Sequence, residues 1–104
     1  MASIIEKYKF PEKLDEKIYE TFEGDPNINE KLDESRLTYL SIHYYGDGYT
    51  SCWHHNKGVS IIIDTDEREI YLVGLKNSIN EARKDLESLI EEKLELIGIV
   101  SKVP

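Results

Sequence analysis

Residues 37–73 read LTYLSIHYYGDGYTSCWHHNKGVSIIIDTDEREIYLV, and this stretch decides the fold. Apolar and β-branched residues recur there with period two, the spacing of a strand with one buried face. Gly46-Asp47-Gly48 interrupts the first run, and glycine tolerates the positive φ that a tight hairpin needs. Asn56-Lys57-Gly58 forms a second connection and Asp66-Glu67 a third. The reading is a four-stranded antiparallel meander: Leu37 to Tyr45, Tyr49 to His55, Val59 to Asp64, and Glu69 to Val73.

On either side of this block the period lengthens. Leu14, Ile18 and Phe22 recur every four residues among charged positions, which predicts a helix from Pro11 to Glu23. Pro11 suits its first turn, and Gly24 suits the left-handed position after its end. After the strands, Ser78-Ile79-Asn80-Glu81 matches a capping box. Ile79, Ala82, Leu86, Leu89, Ile90, Leu94 and Ile97 then predict a second helix running to Gly98. The expected architecture is α+β, in the order α-β-β-β-β-α, with both helices on one sheet face. It forms a single domain over residues 1–104.

Turn positions fix the expected register. A tip at Asp47-Gly48 pairs Cys52 with His43 and His54 with Ser41; the next two turns pair Cys52 with Ile62 and Ile62 with Tyr71. One face then collects Leu40, Ile42, Tyr44, Trp53, Val59, Ile61, Ile63, Ile70 and Leu72, a core with Trp53 as an anchor. The opposite face, left uncovered, carries a middle row of His43, Cys52, Ile62 and Tyr71, with Tyr45, His54 and Val73 nearby.

His43, Cys52 and His54 are the one group that could carry chemistry. A Cys–His pair can yield a thiolate, and two His with one Cys, joined by Asp64, could ligate a metal. An open strand face offers no cleft and no oxyanion donors, so a polar, aromatic contact surface is the preferred reading. Gly46, Gly48 and Gly58 are explained by turns, no phosphate-binding loop is present, and no cofactor is called for. The single cysteine excludes an internal disulfide.

The chain has 21 Asp and Glu against 13 Lys and Arg, a net charge of −8. That balance opposes duplex nucleic acid and anionic membranes as partners. No stretch has the length of a signal peptide or a membrane span, so a cytoplasmic location is expected. Residues 12–34 alone hold nine acids and three lysines. Glu16, Glu20 and Glu23 are therefore candidates for steering a partner with a basic, nucleic-acid-binding surface. These features together lead to a small acidic, non-enzymatic binding protein of the inhibitor or neutralising type, such as a phage inhibitor or a toxin immunity protein. Tyr45, Tyr71, His43, His54, Ile62, Glu16, Glu20 and Glu23 are its expected contacts. The uncovered face is expected to serve a homodimer or the target. The alternative is a small Cys/His enzyme or metal-binding protein using His43, Cys52 and His54.

Overall fold

The computed structural model describes residues 2–14, 32–45 and 48–103, with the backbone alone for Tyr45. Six strands form one antiparallel-paired sheet: β1 (Ile4–Lys9), β2 (Leu37–Tyr45), β3 (Gly48–His55), β4 (Val59–Asp64), β5 (Glu69–Gly74) and β6 (Leu96–Val100). Their order across the sheet is β2-β3-β4-β5-β1-β6. Among the described residues, one helix of several turns, α1 (Lys76–Ile90), joins β5 to β6. Both of those strands run antiparallel to β1 between them. β5, α1 and β6 thus make a crossover that straddles the N-terminal strand.

This corrects the expected α-β-β-β-β-α architecture. The first element is a strand, not a helix, and a sixth strand follows α1. Of the helix expected from Pro11 to Glu23, residues 15–23 lie outside the described residues. The N-terminal strand hides from a pattern search because a carboxylate occupies its buried face. Ile4, Glu6 and Tyr8 point one way and Ile5, Lys7 and Lys9 the other, so neither face reads as apolar.

The second helix is also shorter than its apolar stripe. It starts at Lys76, with Leu75 in the cap position and no side-chain cap, so Ser78 and Glu81 do not form the expected capping box. It stops where Glu91 adopts a left-handed conformation, φ 58°. A non-glycine residue ends it, and no glycine marks the stop. Leu94 stays buried after the helix, while Ile97 lies in β6. Their four- and seven-residue spacing from Ile90 imitates a continuing helix.

Within the central strands the expected register holds for three of the four strands of the meander. His55 pairs with Val59, Cys52 with Ile62, Ile62 with Tyr71 and Asp64 with Glu69. Gly58 takes the positive φ, 83°, expected of its place in the turn. β2 is displaced. Tyr45 faces Gly48 and Ser41 faces Cys52, so the two-residue link is Gly46-Asp47 and the pairing moves by two positions. Gly48 is held in β3 by its neighbours. A Cβ there would come within 3.1 Å of the Asp66 Cβ. The Tyr49 N–H donates to Thr65 Oγ1 at 2.8 Å, and the Thr65 N–H donates to the Tyr49 carbonyl at 3.0 Å.

A β-bulge between Tyr39 and Ser41 then changes which residues of β2 face the core. Leu37 is buried and Tyr39 meets Trp53 edge-on, with ring centroids 5.2 Å apart. Leu40, expected in the core, is exposed. Tyr44 is exposed as well, because α1 packs over β4 and β5 and does not reach the far end of β2. The core itself joins Tyr8, Trp53, Val59, Ile61, Ile63, Ile70 and Leu72 to Ile79, Ala82, Leu86 and Ile90 of α1. Phe10, Leu14 and Leu32 add to it from outside the meander, and the Arg68 guanidinium lies over the Phe10 ring at 4.4 Å. Among the described residues, no helix is long and apolar enough to cross a membrane.

Candidate interaction surface

Two polar clusters tie the helix to the sheet, and both are internal. Glu6 is buried on β1, where its carboxylate accepts from the Tyr8 hydroxyl and pairs with the Lys76 ammonium. Burial pushes this carboxyl up, but the bonds from Lys76 and Tyr8 and the nearby Arg83 charge outweigh it. The net result lies below the usual glutamate range. The Tyr8 phenol is pushed well above its ordinary value by burial and by Glu6.

In the second cluster the fully buried His55 approaches Asp85 Oδ2 through Nε2 at 2.6 Å, and Arg36 Nε donates to the same oxygen at 2.8 Å. His55 Nδ1 accepts the Lys57 N–H at 3.2 Å, so Nε2 is the nitrogen that donates to Asp85. Both imidazole nitrogens are thereby engaged in holding the β3–β4 turn and α1 together. Burial raises the Asp85 carboxyl, but the bonds and charges of His55 and Arg36 outweigh it, leaving it below its ordinary value.

A third carboxylate, Glu69, is also held down. Burial opposes this, but the Tyr71 hydroxyl and Lys7, with Nζ 3.0 Å from Oε1, prevail. Depressed carboxylates stabilise the fold fully above their unfolded values, and that contribution is lost as pH falls through their folded ones. Stability to urea should therefore be level near neutrality and fall below about pH 4.5. Asp85→Asn should flatten part of that fall. A urea midpoint unchanged between about pH 6 and pH 3 would contradict these pairings.

The sheet face opposite the helix is less open than the sequence suggests. Tyr71 is only 5% exposed, and its hydroxyl is committed to Glu69. Asp64 is buried too, where Oδ1 accepts the Asp66 and Glu67 N–H groups and shapes the turn. Ile62, Cys52 and Val73 are half-buried. β1 adds Lys7 and Lys9 to this face. Tyr71 is thus corrected from an exposed contact to a buried one. For Tyr45 only the backbone position, at the tip of β2, is described. Glu16, Glu20 and Glu23 lie outside the described residues.

The expected chemical group is also rearranged. His43 faces Thr50 instead of Cys52, and His54 faces Thr38. Among the described residues, no group of three or more His, Cys, Asp or Glu is arranged to hold a metal ion. What the rearrangement does bring together is an uncharged edge. β2 and β3 contain no Asp, Glu, Lys or Arg in a chain that is 33% charged. From this hairpin Leu40 (59% exposed) and Tyr44 (71%) project into solvent, Tyr44 on the helix side of the sheet, while His43 and His54 are exposed on the opposite face. Tyr44 leans edge-on against Tyr49, with centroids 6.2 Å apart, which limits the freedom its ring would lose in a contact. Alternation along β2 alone points Leu40 and Tyr44 toward the core. The signal that could have found them is β2's place at the sheet edge, where a core-facing residue has no layer above it.

By contrast, a shallow cleft of about 320 Å³ at the end of α1 is lined by Lys84, Glu87, Ser88, Glu91, Glu92 and Lys93. Three acids lie there between two lysines, with Lys93 Nζ 4.0 Å from Glu87 Oε1. Comparison with protein-family models, curated proteins and solved structures finds no match to this chain.

Proposed function

We propose that this protein is a non-enzymatic binding module of the inhibitor or neutralising type, acting in the cytoplasm by covering a surface of another protein. The observation that carries the reading is the pair of strands β2 and β3 without a charged residue, with Leu40 and Tyr44 exposed at the sheet edge. An exposed tyrosine and an exposed leucine on a strand edge without charge match the composition of a protein contact centre, where aromatic residues are enriched and charged residues depleted. The acids of the remaining surface supply the second half of the reading. They attract a target with a basic surface and accelerate encounter, while the hairpin determines how long the complex lasts. His43 and His54 carry the contact around the edge to the opposite face. Ile62 and Tyr71, being partly or fully covered, act through the sheet's rigidity.

Affinity capture from the native host, with mass spectrometry, tests this. A target bound by the wild type should be lost with Leu40→Asp/Tyr44→Asp and retained with Ile62→Ala. The double variant should keep its melting temperature, because both replaced side chains face solvent. Retention of the same target by the double variant would contradict the proposal.

A further inference from the structure

The strand order leaves β6 at the edge opposite the hairpin. Its sequence, Leu-Ile-Gly-Ile-Val, contains neither charge nor proline, two of the devices that keep natural edges from pairing. Leu96, Ile97 and Ile99 are 50, 55 and 66% exposed. The inner edge is bonded to β1, with Ile5 opposite Val100 and Lys7 opposite Gly98. Among the described residues, no strand pairs with the outer edge.

We infer that β6 pairs antiparallel with β6 of a second copy of this chain, continuing the sheet across a two-fold axis. Charge selects both the occupant and the direction. Two copies at −8 each repel wherever acids are dense, so they can approach most easily through a strip that has none. The ends of that strip carry opposite signs, with Glu95 just before it and Lys102 two residues after it. An antiparallel pair centred near Gly98 brings each Glu95 beside the other copy's Lys102, twice by symmetry. A parallel pair would set Glu95 against Glu95. At Gly98 an added Cβ would meet nothing within 4 Å, so the sheet face is open at the centre of the strand. The five-residue length of β6 and the bulge opposite Tyr8 keep the ladder short. The contact is therefore smaller than the about 800 Å² per partner of standard interfaces, and association is weak and concentration-dependent. This pairing uses the edge remote from the hairpin and does not rest on the proposed function.

Sedimentation velocity of the full chain, from about 5 to 500 μM, should show the average mass rising from one chain toward two. Ile99→Lys should weaken this association by about tenfold or more while leaving the melting temperature unchanged. Glu95→Lys should weaken it several-fold, and Glu95→Lys/Lys102→Glu should restore it. A single-chain mass throughout that range would overturn the inference. So would a dimer that Ile99→Lys leaves intact, or a double charge reversal that fails to restore what Glu95→Lys removes. A dimer lost with Ile62→Asp but kept with Ile99→Lys would move the contact to the sheet face and also overturn it.

Discussion

Leu86→Ala should destabilise the protein by about 2–5 kcal/mol in equilibrium urea unfolding at neutral pH. Leu86 is 3% exposed and sits with Ile79, Ala82 and Ile90 on the buried face of α1. That face meets β4 and β5, where Ile61, Ile63, Ile70 and Leu72 are almost entirely covered. Truncation removes three carbons from a site with little room to relax, so the lost transfer energy and the new cavity act together. For a domain of this size the melting temperature should fall by roughly 10 °C or more. A loss below about 1 kcal/mol would mean that α1 is rotated relative to the sheet.

Glu6→Ala should cost nearly as much, about 2–4 kcal/mol, for a different reason. The Tyr8 hydroxyl, within a fully buried residue, would lose its acceptor. Lys76 is exposed enough to turn its ammonium to water, which spares the larger penalty of a stranded buried charge. Tyr8→Phe in the Glu6→Ala background should therefore recover part of the loss, since it removes the orphaned hydroxyl. Full additivity of the two changes would show that the pair does not interact.

Both residues belong to elements with unequal visibility in the sequence. The buried face of α1 was legible because Ile79, Ala82, Leu86 and Ile90 keep helical spacing with no competing pattern. The register from β3 to β5 was legible because Asn56-Lys57-Gly58 and Asp64 to Glu69 leave little choice of turn. β1 was not legible. Its stability depends on Glu6 meeting Lys76 seventy residues away, a contact that no local period records. β6 was concealed by helical spacing that continues past the stop at Glu91.

The candidate site was half visible for a related reason. The sequence picked out the His- and Tyr-rich hairpin, and His43 and His54 are exposed there as expected. It placed the aromatic contact on the wrong residue. Tyr71 looked exposed because the meander was read as an open face, yet Glu69 and Lys7 bind around it. Tyr44 looked buried because alternation sets the direction of a side chain without saying whether another layer lies above it.

Binding kinetics against the captured target give the most direct test that the β2–β3 hairpin is the contact surface. Tyr44→Ala should raise the off-rate by about tenfold or more, as loss of an aromatic anchor does, with little change in on-rate. Raising the salt should slow association, because screening shortens the reach of the acidic surface to about 8 Å at physiological ionic strength. An off-rate unaffected by Tyr44→Ala, together with an on-rate independent of salt, would contradict both halves of the proposed mode of binding.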